Sequence, residues 1–457
     1  MTPFLALTIL IAPVTLGYCL ISLMDAKKTI PVTLGLALAY GLGTGLLTLW
    51  MFLLGALRAP LTTGTINYPL ATSIAVCFLF ILKSRNKSPG ERLKYNFPSS
   101  RLDPLSLVFL LFILLQTSYV FWRGFTIPTS TWDAFATHTF NAKILFYEHS
   151  LKYLNNMPHS NYPLHVPLLQ AWLALNIGAW DDQLINVIFP LYFLATLIVQ
   201  YHFLKSHVRV RWALLGLVFL VSSPFLVYHA TIGYRDFTLL YYNFTTITLL
   251  LFWREKKENV YLILAAFFAG ITSFVKLEGS GYLAIHTLLL TVILAHEHPM
   301  VLSKKLKIFL KFFIPGFSVC LSFHVYQYLA QAGALSHDAL SFNLYHLGLA
   351  PAVDYVGRLR TVLEKIIQNL FFSNNWNILW LILVVSLLRL ERKNISFEIK
   401  LLSWALVAFA AIYIPAYTLT QHYFWIAQTE ASLSRCILHI FPLVPVLIIL
   451  INYPKKN

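Results

Sequence analysis

Long apolar runs, broken by short polar segments, dominate the chain from end to end. Many reach the roughly 18–20 residues that an α-helix needs to cross a hydrocarbon core of about 30 Å. The pattern predicts spans at 3–23, 30–56, 67–83, 104–122, 183–204, 212–230, 237–253, 260–275, 280–297, 308–330, 370–390, 400–418 and 436–453. The expected fold is all-α, a polytopic transmembrane bundle of about 13 spans whose outer-face loops carry interfacial helices.

The polar punctuation sets the expected orientation. Basic clusters recur between the runs as "DAKK", "KSRNKSPGERLK", "KSHVRVR", "REKKEN", "SKKLK", "LERKN" and "PKKN". The positive-inside rule assigns such loops to the cytoplasm. Sides then alternate along the chain, with the N-terminus outside and the C-terminus inside a cytoplasmic (inner) membrane. One stretch, "LHVPLLQAWLALNIGAW" (164–180), breaks the alternation, because crossing there would force "KSHVRVR" outside. Amphipathic, shorter than a comfortable span and ending in Asp181 and Asp182, it is therefore expected to lie at the outer interface or dip into it. Two large outer loops result, 123–182 and 331–369. Three portions follow: 1–103 with three spans and a basic inner linker, a core at 104–330, and C-terminal spans at 331–457.

Composition agrees with this reading. The chain of 457 residues is 58% hydrophobic and 11% charged, whereas a soluble domain carries charge on about a quarter of its residues. The net charge of +16 lies in the inner loop clusters, so no nucleic-acid partner is expected. Cys19, Cys77, Cys320 and Cys436 are scattered, with neither metal-ligand spacing nor a disulfide framework. The first run has no basic residue before Lys27 and reads as a retained span rather than a cleaved signal.

The acids are less ordinary. On this topology Asp133, Asp181, Asp182, Asp236, Glu278, Asp338 and Asp354 all fall at the outer side. Three tips combine an acid with a base and an aromatic or glycine: "TSTWDAFATHTFNAKILFYEH", "HATIGYRDFTLLYY" and "SFVKLEGSGY". Taken singly, each acid is a solvated loop carboxylate; taken together they point to one shared site. The span centres are almost free of charge, unlike a transporter with ionisable groups at mid-membrane.

Four stretches in order, "TWDAFATHTFNAKILF", "NYPLHVPLLQAWLALNIGAW", "SSPFLVYHATIGYRDFTLL" and "SRCILHIFPLVPVLI", resemble the GT-C superfamily of polytopic glycosyltransferases. The likeness is to the bacterial dolichyl-phosphate-mannose mannosyltransferase-like and protein O-mannosyltransferase-like enzymes. The chain departs from the pattern in its lone Asp133, in wider spacing of the prolines of "YPLHVP", and in three extra N-terminal spans.

The resemblance implies transfer of a hexosyl or pentosyl group from a polyprenyl-phosphate donor to a glycan, lipid or protein acceptor at the outer leaflet. Asp133 is the implied general base, which takes the acceptor hydroxyl proton. Arg435, then Lys276 and Arg235, are the cations for the lipid phosphate. Asp236 and Glu278 bind hydroxyls or hold those cations. His138, Tyr162, His165 and Trp172 line the sugar or acceptor face, with His229 and Tyr234 flanking Asp236.

Plainer readings stand beside these: Asp133 as a helix-start acid, Arg435 as an interface anchor, and Trp172 as a membrane-belt aromatic. No metal-ligand set is apparent and no cofactor is expected. The alternatives to transfer are a polymerase or ligase acting on lipid-linked glycans, and a lipid or solute transporter. Membrane lipids are partners in every case.

Overall fold

A computed structural model describes residues 3–85, 103–156, 160–297, 299–331, 353–391, 395–430 and 432–453. Every regular element among them is helical. The N-terminal portion folds as α1 (Pro3–Met24), α2 (Val32–Ala56) and α3 (Thr63–Arg85). Most of the predicted basic linker falls outside the described residues.

The next helix, α4 (Pro104–Thr126), starts where the sequence signals it. The Asp103 carboxylate accepts from the Ser106 amide at 3.0 Å, and proline occupies the first position, where its missing N–H costs no hydrogen bond. A π-helical turn at Ala134–His138 leads into α5 (Thr139–Glu148) and α6 (His165–Ile177). Then come α7 (Ile188–His207), α8 (Val210–Val221), α9 (Pro224–His229), α10 (Arg235–Lys256), α11 (Asn259–Val275), α12 (Glu278–His296) and α13 (Leu302–Gln331). The C-terminal portion holds α14 (Tyr355–Phe371), α15 (Leu379–Arg389), α16 (Phe397–Leu419), α17 (Gln421–Gln428), α18 (Leu433–Leu438) and α19 (Leu443–Asn452).

Among the described residues, eight helices are long and apolar enough to cross a membrane: α1 to α4, the segment Leu184–His207, α12, α13 and α16. That fits a multi-pass membrane protein. The other predicted spans are shorter, broken or more polar. The run 212–230 divides at Pro224, which cannot continue the hydrogen-bond ladder of α8 and instead opens α9 behind a Ser223 cap. The run 370–390 straddles the end of α14 and the start of α15, and 436–453 is interrupted before α19 at Pro442. α10 has 22 residues, but Arg235, Asp236, Asn243 and four threonines make it polar. It is buried from Arg235 through Trp253 and forms the centre of the bundle, against α7, α11 and α12.

The stretch 164–180 is not laid against lipid. Its helix α6 has His165 through Ala174 buried, enclosed by α2, α5 and neighbouring helices. Its residues fill protein core on every side, so it is not the amphipathic interfacial helix expected. Trp172 is 1% exposed and donates its indole N–H to Asn67 Oδ1 at 2.9 Å, so it is a core residue and not a membrane-belt aromatic. In the second predicted loop, α14 occupies the C-terminal part, while His337 and Asp338 lie outside the described residues.

Candidate functional site

Three acids begin three helices, and the three helix starts meet. Asp133 immediately precedes the π-helical turn, Asp236 lies in the first turn of α10, and Glu278 opens α12. A carboxylate is favourable at each helix N-terminus, where unpaired N–H groups leave partial positive charge. Asp133 makes no capping hydrogen bond there, so its carboxylate is free for a partner elsewhere.

That partner is Arg435. Its Nη1 donates to Asp133 Oδ2 in a short ion pair, and the same nitrogen lies 3.8 Å from Asp236 Oδ2. Asp236 Oδ1 accepts from Lys276 Nζ at 3.0 Å, and Lys276 reaches Glu278 Oε1 at 2.9 Å. The result is a continuous alternation of charge: Asp133, Arg435, Asp236, Lys276, Glu278. Its middle is sealed and its ends are open. The side chains of Asp236 and Lys276 are 0% and 5% exposed, against 34% for Asp133 and 29% for Glu278.

Local packing holds these groups close. Gly279 follows Glu278, and a Cβ there would strike the backbone of Thr272 and Ser273, so the glycine lets the α11–α12 connection fold tightly around Lys276. Gly233 does the same for Asp133: a Cβ would meet Ala134 Cβ at 2.9 Å and Thr139 Oγ1 at 3.1 Å. The loop before α10 therefore lies directly on the turn after Asp133.

Burial disfavours the ammonium of Lys276, but Asp236 and Glu278 outweigh it and hold the group well above the ordinary lysine range. The Arg435 guanidinium is likewise held charged against its burial by Asp236 and Asp133. Burial, and next the charge on Arg235, push the His138 imidazole well below its usual range, so it is neutral.

The remaining predicted residues divide. His138 is 4% exposed, with its ring centroid 6.0 Å from that of Tyr162 and 6.1 Å from that of Tyr234. Tyr234 lies under the Arg435 guanidinium at 5.2 Å and its hydroxyl accepts from the Asp133 amide at 3.4 Å. His229 packs edge-on to Tyr234 at 5.5 Å. These four border the site.

Arg235 does not join the charge chain. It is fully buried, donates Nη1 to the Pro163 carbonyl at 2.5 Å and lies over the Tyr162 ring at 5.2 Å. His165 is drawn into the core and does not border the site. It is 0% exposed, bonded to Thr48 Oγ1 at 2.7 Å and Tyr192 Oη at 2.9 Å. Asp181, Asp182 and Asp354 stay local. Asp181 accepts from the Gln183 and Leu184 amides, Asp182 from the Trp180 indole, and Asp354 caps α14 through the Gly357 amide.

One central residue escaped the sequence reading. His439, fully buried, places Nε2 2.9 Å from Asp236 Oδ1, while its Nδ1 lies 2.7 Å from Tyr282 Oη. An ionised carboxylate only accepts, so Nε2 carries the proton and the Tyr282 hydroxyl donates to Nδ1. Asn243 donates to the His439 carbonyl at 2.8 Å and fixes the backbone. The available signal was the spacing: His439 follows Arg435 by four residues in "SRCILHIFP", one helical turn along.

Several buried polar atoms around the cluster have no hydrogen-bond partner among the described residues: Asp236 Oδ2, Glu278 Oε2, His138 Nδ1, and Nε and Nη2 of Arg235. Beside the cluster, Arg123, Ser130, Thr131, Asn186 and Gly233 help line a small depression. Comparison with known proteins gives no match to any family model, curated protein or solved structure.

Proposed function

We propose that the chain is a membrane glycosyltransferase that moves a sugar from a polyprenyl-phosphate donor to an acceptor hydroxyl at the outer face of the membrane. The observation that carries this reading is the convergence of Asp133, Arg435, Asp236, Lys276 and Glu278, from separate segments, into one contiguous cluster. The unpartnered polar atoms beside it supply groups for a polyhydroxylated ligand.

In this mechanism the acceptor hydroxyl attacks the anomeric carbon while Asp133 takes its proton. The bond from that carbon to the phosphate oxygen breaks, and polyprenyl phosphate leaves. Developing charge on the phosphate is met by Arg435, supported by Lys276. The donor phosphate competes with Asp133 for the Arg435 guanidinium, so donor binding releases the base for its role. Asp236 stays buried and holds both cations in place.

The test is reconstitution of the purified protein with radiolabelled polyprenyl-phosphate sugar. Release of polyprenyl phosphate with label transferred to a hydroxyl acceptor supports the reading. Transmembrane movement of the labelled lipid without cleavage would replace it with transport. Activity only on diphosphate-linked oligosaccharides would replace it with a polymerase or ligase.

A further inference from the structure

The helix α14 leaves much of its apolar surface uncovered by the rest of the protein. Val356, Leu359, Leu363 and Ile367 recur at three- and four-residue spacing and are all exposed, Val356 at 80%. They form one apolar stripe along the helix. The face turned toward the protein carries the buried Val362 and the part-buried Ile366 together with Arg358, Lys365 and Asn369, and each of the three polar side chains is engaged. The Arg358 guanidinium lies over the Phe424 ring at 4.8 Å, Lys365 pairs with Glu430 at 2.8 Å, and Asn369 donates to Ser434 Oγ at 2.7 Å. A helix bordering water turns its apolar stripe inward and its charges outward. On α14 Val362 and Ile366 turn inward, but Val356, Leu359, Leu363 and Ile367 stay exposed.

The helix is no span. It has 17 residues and carries Arg358, Arg360, Glu364 and Lys365, too short and too charged to cross a bilayer. Its surroundings are apolar too. It packs on α16, a helix long enough to span, whose Trp404, Val407 and Ile412 are exposed along its length. It also packs on α17, which exposes Trp425, and is followed by Phe372 at 75% exposure. Aromatic residues at the ends of spans favour the headgroup level. The exposed Arg360–Glu364 pair at 2.8 Å marks one edge of the stripe, where the surface turns polar.

We infer that α14 is an interfacial helix that lies along the membrane surface on the side of the candidate site, and that the partner of its stripe is the lipid at the boundary of headgroups and acyl chains. Such a helix is held by the apolar area it buries in that boundary. Its inward face meanwhile grips Glu430 and Ser434, the latter adjacent to Arg435. Lipid contact and the placement of Arg435 thus share one rigid element. The inference stands independently of sugar transfer.

Single cysteines at Leu363, Ile367, Glu364 and Gln368, in a background whose four buried native cysteines are replaced by alanine, would carry nitroxide labels in proteoliposomes. Collision with oxygen and with a water-soluble nickel chelate is then measured by power saturation. A ratio of oxygen to nickel accessibility several-fold higher at 363 and 367 than at 364 and 368 is the expected result. Equal or reversed ratios would overturn the inference. So would low accessibility to both reagents at 363 and 367, the signature of a protein partner such as a second copy. Unchanged size-exclusion elution shows that each labelled protein is folded.

Discussion

Arg435 and Asp133 stand 302 positions apart in the chain and form a direct ion pair at the edge of the candidate site. Both are partly exposed, so the pair contributes at most about 1 kcal/mol to stability. The contact therefore matters more for what it positions than for what it holds together. Asp133→Asn should leave the thermal midpoint in detergent within a few degrees of the parent. Under the proposed function it should lower sugar transfer by ~10²-fold or more. Activity and melting measured on the same preparation separate the two effects, and full activity would remove Asp133 from the mechanism.

The inner pair behaves in the opposite way. Asp236 and Lys276 are sealed from solvent, and removing one partner strands a buried charge. Asp236→Asn should cost about 3 kcal/mol, since Glu278 still faces Lys276. Glu278→Gln, at the open end of the chain, should cost about 1 kcal/mol. Denaturant or thermal unfolding of the two variants side by side checks the ranking.

His439 donates to the same Asp236 oxygen, Oδ1, that accepts from Lys276. His439→Ala removes a donor to Asp236 and leaves the Tyr282 hydroxyl with one partner fewer, at a cost of about 1–3 kcal/mol. His439→Gln keeps an N–H donor near Asp236 and should recover part of that loss. A melt of the alanine variant equal to the parent would show that the hydrogen bonds carry no net weight.

His138 supplies a pH dependence with a definite sign. Its folded-state pKa is depressed by burial and by nearby cations, so folding favours the neutral ring. The stability it confers is fully present above the unfolded histidine value of about 6.5 and is lost as pH falls below it toward the folded value. Between about pH 7 and pH 5 the parent should therefore lose more stability than His138→Gln does. Unfolding curves across that window decide it. Equal losses would mean that His138 does not contribute.

Gly279→Ala tests the tight connection around Lys276. The new methyl would meet the backbone of Thr272 and Ser273, which cannot move aside without opening the connection. A loss of about 1–3 kcal/mol is expected. Gly178, which has nothing within contact distance of an added Cβ, offers a contrast of a different kind, because its φ of +80° makes alanine costly through backbone strain alone.

Much of the site was legible because acids are rare in this chain and costly near a membrane. Asp133, Asp236 and Glu278 stood out for that reason, and so did Lys276 and Arg435. His165 and Arg235 carried the same polar signal yet serve the core and a backbone carbonyl. Spacing and polarity cannot report which way a side chain turns once its helix is packed. Trp172 was misread for a related reason: an aromatic in a short apolar helix has the same signature against lipid as against protein. His439 was hidden because a histidine inside an apolar run resembles any other core polar residue until its partner is known.

The sequence alone determined that the chain is helical and rich in membrane-length apolar runs, because hydropathy and periodicity are local properties of consecutive residues. It also determined where the scarce charges sit along the chain. Only the tertiary structure decided that Asp133 meets Arg435, that α6 lies inside the bundle, and that α14 leaves part of its apolar surface uncovered. Those outcomes depend on which helix faces pack together, and contacts between residues hundreds of positions apart are set by packing and burial rather than by neighbours in sequence.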